Sequence, residues 1–125
     1  MAITILVADD EENIVKTLSK KLTLEGYAIL EARTGSEALK KTSENFPDLI
    51  LLDVSMPDMD GAEVARFLHN RQVTSQIPII FLTGMLSKND GEADNQIWID
   101  GRSYPVLTKP FQFTELLAKI RDVLE

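Results

Sequence analysis

The chain contains no cysteine and a single histidine among its 125 residues, and each shortage excludes a class of chemistry. Without cysteine there is no disulfide framework, no thiolate nucleophile and no thiolate metal site. The one histidine, His69, falls in the middle of a predicted helix and is expected to be a surface residue. Soft metals and metals that prefer imidazole are therefore disfavoured.

Basic charge and long apolar runs are also scarce. The formal net charge is −7, which argues against nucleic acid or an anionic membrane surface as the main partner. No apolar run approaches the roughly 18 residues that a membrane span needs. The N-terminal stretch MAITILVADDEE has neither the basic region nor the cleavage site of a signal peptide. We therefore expect a cytoplasmic protein that handles cations or meets partners with basic rims.

The length suits one domain with one core, over residues 1–125, and 44% of the residues are apolar. Five short apolar runs are predicted to be strands: Ile3–Ala8, Tyr27–Ala32, Asp48–Asp53, Ile77–Thr83 and Tyr104–Thr108. Three of these runs are nearly continuous in Val, Ile and Leu, which is typical of strands that are buried on both faces.

The segments between these runs have helical spacing. Ile14, Leu18 and Leu22 recur every four residues, and Gly26 is placed to end that helix. The capping-box patterns TGSE and DGAE begin a second and a third helix, and a last helix follows Pro110. Alternating strands and helices predict a doubly wound parallel sheet that is covered on both faces.

The segment Met85–Ser103 does not follow this pattern, although it occupies the place of the fourth helix. It contains Asn-Asp-Gly and Asp-Gly turn signals, and its apolar stripe is limited to Ala93, Ile97 and Trp98. We expect a short helix or irregular structure here. Trp98 is expected to pack within the segment, with a partner contact as the alternative.

Polar side chains stand where the predicted strands end. Asp9 and Asp10 follow the first strand, Asp53 ends the third, Thr83 ends the fourth, and Lys109 follows the fifth. In an open parallel sheet, ligands bind beyond the carboxyl ends of the strands. The sequence therefore predicts one convergent site with three carboxylates, a hydroxyl and an ammonium group.

These residue types indicate a chemistry. Three neighbouring carboxylates repel one another unless a cation joins them, and all-oxygen ligands suit Mg²⁺. A carboxylate can also attack phosphorus and give an aspartyl phosphate. Mg²⁺ and Lys109 would then balance the phosphoryl charge, Thr83 would donate a hydrogen bond, and Gly84 would leave room for the group.

Four motifs carry a resemblance to a known family: ADDEE, DLILLDVSMPDMDG, PIIFLTG and LTKPF. With these motifs in this order, the chain from Ile3 to Leu124 resembles a receiver (phosphoacceptor) domain of two-component response regulators, of the chemotaxis-regulator type. The resemblance implies a flavodoxin-like α/β fold with a five-stranded parallel sheet in the order 2-1-3-4-5. It also implies a cis peptide bond between Lys109 and Pro110.

The resemblance further implies that Asp53 accepts a phosphoryl group from a histidine kinase or a histidine phosphotransfer protein. Mg²⁺ would be held by Asp10, Asp53 and the main-chain carbonyl of Ser55, with Asp9 acting through water. Such a domain catalyses only its own phosphorylation and dephosphorylation and is not a metabolic enzyme.

The output of such a domain is a changed surface. Phosphorylation would draw Thr83 inward and alter the face formed by helix 4, strand 5 and helix 5, which a downstream protein of unknown identity would read. The resemblance leaves a monomer or a weak dimer open, and it implies no direct contact with nucleic acid or membrane.

Two features depart from the family pattern. The family usually has Tyr or Phe three residues before the strand-5 lysine, where this chain has Val106. Tyr104, on the same face of that strand, either substitutes for it or leaves the chain without an aromatic switch. The interval from Thr83 to Lys109 is also longer than usual, and DGRS replaces the usual Gly-Ala. We therefore predict a standard site and an altered output face that does not use aromatic rotation.

Two alternatives remain at the level of sequence. A Mg²⁺-dependent phosphatase of the haloacid-dehalogenase type would need an acid two residues after Asp53, where this chain has Ser55. A receiver-like binding scaffold with an atypical output face is the other. Asp58 and Asp60 are expected to shape the turn after Asp53 and to cap the third helix.

Overall fold

The computed structural model describes residues 2–84 and 96–125, which form an α/β fold. The strands in these ranges are β1 (Thr4–Ala8), β2 (Ala28–Ala32), β3 (Leu49–Asp53), β4 (Ile79–Thr83), β5 (Gln96–Ile99) and β6 (Arg102–Thr108). The helices are α1 (Glu12–Leu24), α2 (Gly35–Asn45), α3 (Gly61–His69) and the C-terminal helix (Phe113–Leu124).

The strands form one sheet in the order β2-β1-β3-β4-β6-β5. Neighbours from β2 to β6 pair in parallel, and β5 pairs antiparallel with β6 at the edge. The five predicted runs are the five parallel strands, in the predicted order, so the doubly wound, flavodoxin-like class is confirmed. The strand count is six rather than five, because the chain adds β5 outside β6.

The added strand belongs to a hairpin that the sequence analysis did not predict. Asp100 and Gly101 have φ values of 51° and 81°, and they join β5 to β6 as a two-residue loop. Positive φ at both loop positions is the preferred hairpin geometry, and Asp-Gly adopts it at low cost. The prediction of a short helix or irregular structure is therefore wrong for residues 96–103, which form β5, the two-residue loop and the start of β6. Residues 85–95, where the rest of that prediction falls, lie outside the described residues.

The side chains of β5 alternate as the pleat of a strand requires. Ile97 and Ile99 pack into the core, whereas Trp98 between them is 63% exposed. The expectation that Trp98 packs within its segment is therefore wrong. Its alternative, a contact with a partner, stays a prediction.

Two apolar clusters sandwich the sheet. One lies under α2 and α3 and contains Ile50 and Leu52, and the other lies under α1 and the C-terminal helix and contains Leu49 and Leu51. β3 therefore sends alternate side chains into both clusters, and all five of its residues are buried. This explains why its sequence is an uninterrupted apolar run before Asp53.

The loop after β3 connects two helices through its acids. Asp60 caps α3 as predicted, because its carboxylate accepts a hydrogen bond of 2.8 Å from the backbone N–H of Glu63. Asp58 was expected at the same helix but binds α2 instead, accepting from the backbone N–H groups of Gly35 (2.8 Å) and Ser36 (3.0 Å). The hydrogen bond from the Ser36 hydroxyl is the largest cause that lowers the pKa of Asp58 to about 2, followed by the two backbone bonds.

The described helices are between 9 and 13 residues long. None of those in residues 2–84 and 96–125 is long and apolar enough to cross a bilayer.

Gly61 is required by a close backbone approach. A Cβ at this position would lie 2.5 Å from the carbonyl oxygen of Asp53 and 3.0 Å from Cα of Val54. Both atoms belong to the backbone, so no side chain can rotate away. We expect Gly61→Ala to lower the free energy of unfolding by about 1–3 kcal/mol, measured by urea denaturation.

Gly84→Ala is the matched control for that substitution. Among the described residues, a Cβ at Gly84 would meet nothing closer than Cβ of Lys109, at 4.0 Å, so the effect of Gly84→Ala on the free energy of unfolding should stay within about 0.5 kcal/mol. Equal effects of the two substitutions would contradict the role given to Gly61.

Candidate functional site

The polar residues predicted to converge do meet at one edge of the sheet. Asp53 and Thr83 are the last residues of β3 and β4, Asp9 and Asp10 follow β1, and Lys109 follows β6. Because β1, β3, β4 and β6 are neighbouring parallel strands, their carboxyl ends lie side by side. The fold therefore delivers all five side chains to the same rim.

Three carboxylates form the centre of this rim. One oxygen from each of Asp9, Asp10 and Asp53 lies within 4.8 Å of the other two. Asp9 is fully buried and Asp53 is 4% exposed, whereas Asp10 is open to solvent. Hard oxygen donors at this spacing, with one open side, fit a divalent cation such as Mg²⁺ that keeps part of its water shell.

The Asp53 carboxyl is difficult to ionise in this setting. Burial is the largest cause and the charge of Asp9 the next, and together they raise the pKa of Asp53 to about 7 from an ordinary value of 3.8. Lys109 and a 3.4 Å hydrogen bond from the backbone N–H of Ser55 act in the opposite direction without cancelling the shift. The positive charge near the acid cluster is therefore too small to bring the pKa of Asp53 back to its ordinary value.

Lys109 supplies part of that charge. Its ammonium donates to Asp9 Oδ2 at 2.7 Å and to Glu11 Oε1 at 3.2 Å, and it lies 3.7 Å from Asp53 Oδ1. Burial acts to lower the pKa of Lys109, but the hydrogen bond and charge of Asp9, followed by the charge of Asp53, raise it overall. Lys109 is therefore a permanent cation among these acids.

The backbone around Lys109 fixes its position at the rim. Its N–H donates to the carbonyl of Thr83 at 2.8 Å, and the peptide bond between Lys109 and Pro110 is cis, as the resemblance implied. Thr83 is 1% exposed. Within residues 2–84 and 96–125, the atom nearest to a Cβ built on Gly84 is Cβ of Lys109, at 4.0 Å.

The sequence analysis missed Glu11 as a member of this site. Only the two aspartates of the acidic run ADDEE were assigned to the site, and acids are common at a helix N-terminus for reasons unrelated to a site. In the structure Glu11 is the N-cap residue of α1 and contacts Lys109. The run of four acids was a signal, but it could not indicate which of them turns toward the lysine.

A groove beside the rim was also not predicted. It has a volume of about 540 Å³ and lies between α1 and the start of the C-terminal helix. Its lining includes the apolar residues Ile14, Leu18, Phe111 and Phe113 together with Glu11 and Lys109. The acid site therefore opens onto an apolar surface.

The residues considered for a switch lie inside the protein. Tyr104 is 3% exposed, and its ring packs edge-to-face on Phe81 with the centroids 5.5 Å apart. Val106, where the family usually has an aromatic residue, is also buried and pairs with Phe81 across β4 and β6. Both side chains belong to the cluster under α2 and α3.

The hairpin is attached to α3 and to the turn that follows it. Arg66 pairs with Asp100 at 2.7 Å, and Arg102 donates to the carbonyl of Ser75 at 2.9 Å and contacts Nδ1 of His69. His69, expected to be a surface helix residue, is half-buried at this junction.

Comparisons with known proteins agree with this geometry. The sequence profile of the response regulator receiver domain matches residues 5–121. The chain is 41% identical over 120 residues to the alkaline phosphatase synthesis transcriptional regulatory protein PhoP of Bacillus subtilis, covering 96% of this chain and 48% of that protein. It is 38% identical over 123 residues to the response regulator PleD of Caulobacter vibrioides, covering 98% and 26%. The chain thus spans about half or less of the length of these relatives.

Among solved structures, chemotaxis protein CheY4 of Vibrio cholerae is similar, with a TM-score of 0.83, 31% identity, and coverage of 99% of this chain and 100% of that one. Profile, relatives and fold agree over nearly the whole chain. The chain therefore belongs to the family of receiver domains of two-component response regulators.

Proposed function

We propose that residues 1–125 form a single receiver domain that accepts a phosphoryl group on Asp53 from a phosphohistidine of a histidine kinase or phosphotransfer protein. The observation that carries this proposal is the juxtaposition of Asp9, Asp10 and Asp53 with the Lys109 ammonium at one sheet edge. This set combines a carboxylate nucleophile with the positive charge that phosphoryl transfer needs.

In the proposed transfer, an oxygen of Asp53 attacks phosphorus and the bond from phosphorus to the donor imidazole breaks. The imidazole keeps the electron pair and takes up a proton. The Lys109 ammonium moves from 3.7 Å to pair with a phosphoryl oxygen, and the Thr83 hydroxyl donates a hydrogen bond to another. The same site catalyses its own dephosphorylation by water and no other reaction.

A cation completes this site. Asp10, Asp53 and the main-chain carbonyl of Ser55 would hold Mg²⁺, with Asp9 acting through water. Bound Mg²⁺ would neutralise the carboxylates and the phosphoryl oxygens. The fully buried Asp9 and the nearly buried Asp53 support this assignment, because two such carboxylates ionise together only when cations offset their repulsion.

The alternatives have less support. A haloacid-dehalogenase-type phosphatase needs a general acid two residues after its nucleophile, and the residue there is Ser55, whose N–H lies beside Asp53. A pure binding scaffold does not require a half-buried lysine that bridges Asp9 and Asp53. The phosphorylated switch accounts for both features.

The family resemblance implies an output face formed by helix 4, strand 5 and helix 5, in which the predicted strand 5 is β6 and the predicted helix 5 is the C-terminal helix. The output surface proposed here adds the edge strand β5 to that face. In the described part of the chain it consists of the β5–β6 hairpin and the C-terminal helix, with Trp98 exposed on the hairpin. Thr83 precedes this region as the switch residue next to the site. The reader of this surface is a downstream protein, and the domain acts as a monomer or weak dimer without contacting nucleic acid or membrane.

Phosphorylation can be tested with a small donor. We expect incubation with Mg²⁺ and acetyl phosphate to add the mass of one phosphoryl group, seen by intact mass spectrometry. Asp53→Asn and chelation by EDTA should each abolish the adduct, because they remove the nucleophile and the cation. Asp60→Asn, which alters a nearby acid that caps α3, should leave it. An equal adduct on Asp53→Asn, or none on the parent, would exclude the proposal.

The raised pKa of Asp53 predicts how stability depends on pH without divalent cation. Between about pH 4 and about pH 7 the folded chain retains a proton that the unfolded chain has released, so stability falls as pH rises through this range. The Asp53→Asn variant has no carboxyl group at this position, so its folded state does not retain this proton. Its free energy of unfolding should exceed that of the parent by on the order of 2 kcal/mol near pH 8 in EDTA, and by little near pH 4.

Urea denaturation at several pH values measures this difference, and saturating Mg²⁺ should narrow it near pH 8. Asp122→Asn, which removes an exposed acid of the C-terminal helix, serves as the control. A difference between parent and Asp53→Asn that did not change with pH would contradict the prediction.

The buried Tyr104 predicts a signal that does not use rotation of this ring. The ring is held by Phe81 and by the Arg102 guanidinium, which lies 5.4 Å from its centroid. We expect the ring to stay protected before and after phosphorylation. Fluorotyrosine NMR with a soluble paramagnetic agent reports this exposure, and Tyr27→Phe assigns the two tyrosine signals. A Tyr104 signal that is exposed before phosphorylation and protected afterwards would refute the idea.

A further inference from the structure

Three carboxylates compete for one lysine at the site. The Lys109 ammonium is 2.7 Å from Asp9, 3.2 Å from Glu11 and 3.7 Å from Asp53. The proposed function gives Asp9 and Asp53 roles but leaves Glu11 without one. The contact with Glu11 is nonetheless shorter than the contact with the proposed phosphoryl acceptor.

The local backbone aims Glu11 at Lys109. Glu11 is the N-cap residue of α1, a position whose side chain usually accepts a hydrogen bond from the first turn, but here it makes no such bond. Its own N–H donates to Asp9 Oδ1 at 2.9 Å, which ties its backbone to the acid cluster. The carboxylate is therefore available to the lysine rather than to the helix.

Asp9 and Glu11 hold the lysine differently. The Asp9 side chain is fully buried, whereas the Glu11 side chain is 60% exposed. The Glu11 carboxylate can therefore separate from the ammonium and be hydrated by solvent, while Asp9 remains in place. To reach a phosphoryl group on Asp53, the ammonium must shorten a 3.7 Å separation and give up its contact with Glu11. The side chains of Glu11 and Lys109 also line the groove beside α1, so the contact between them is open to solvent there.

We propose that Glu11 is a positioning residue that holds the Lys109 ammonium back from Asp53 and thereby slows phosphorylation by small anionic donors. The inference rests on the proposed function of Asp53 as phosphoryl acceptor. Glu11 acts through Lys109 and does not touch the phosphoryl group. Removing its contact frees the ammonium for the transition state, where charge on the phosphoryl oxygens is largest.

The test compares phosphorylation rates of the full chain with acetyl phosphate at saturating Mg²⁺, followed by intact mass. Glu11→Gln should react about two- to fivefold faster, as expected from loss of one exposed ion pair. Glu11→Asp keeps the charge but is one methylene shorter, so it loses most of the reach to Lys109 and should also be faster. The rates of parent and Glu11→Gln should converge as salt is raised, because screening weakens the ion pair.

Glu12→Gln is the matched control. Glu12 is the next acid along the chain and contacts Lys16 and Arg33, both at 3.7 Å, instead of Lys109. Its rate should equal that of the parent. Urea denaturation of each variant confirms that it is folded.

The outcomes separate the two proposals. If the parent is not phosphorylated, the proposed function fails and the role of Glu11 fails with it. If the parent is phosphorylated but Glu11→Gln is no faster, the role of Glu11 alone is overturned. If Glu11→Gln is faster but Glu11→Asp matches the parent, charge rather than contact is responsible and the holding role is overturned.

Discussion

Repulsion among three carboxylates at one sheet edge is the constraint on which the rest of the structure depends. Asp9 and Asp53 are buried where a negative charge is costly, and Lys109 offsets only part of that cost, since the pKa of Asp53 remains raised to about 7. A site of this kind is poised to gain a cation. The function proposed for the chain follows from this shortage of positive charge around the carboxylates more than from any single residue.

The fold sustains this arrangement by making the strands below the rim rigid. β3 is buried along its whole length and is paired on both sides, with β1 and β4. The backbone N–H of Lys109 donates to the carbonyl of Thr83, which keeps the base of this side chain at the rim beside the acids. The destabilising acid cluster is thus carried by the most apolar part of the sheet, where packing offsets its cost.

Much of this could be predicted from sequence, for physical reasons. Continuous apolar runs indicate strands buried on both faces, and parallel topology then brings Asp9, Asp53, Thr83 and Lys109 together without any knowledge of their contacts. The hairpin was missed because QIWI is only four residues long and its Asp-Gly turn was read as a loop signal rather than as a β-hairpin. The exposure of Trp98 follows from that strand register, and the Glu11 contact depends on a side-chain direction, so neither is visible in a pattern of residue types.

The close approach of Gly61 to Asp53 has a mechanical consequence. The backbone carbonyl of Asp53 lies against the first turn of α3, and the N–H of Gly61 donates to the carbonyl of Val54 at 2.7 Å, so the start of this helix is tied to the end of β3. Toward its other end, α3 contacts the hairpin: Arg66 pairs with Asp100, and His69 contacts Arg102. A helix of nine residues is about 13 Å long, so α3 is a short connection between Asp53 at the end of β3 and the added hairpin. The added edge strand is thereby connected to the acid rim through one short helix.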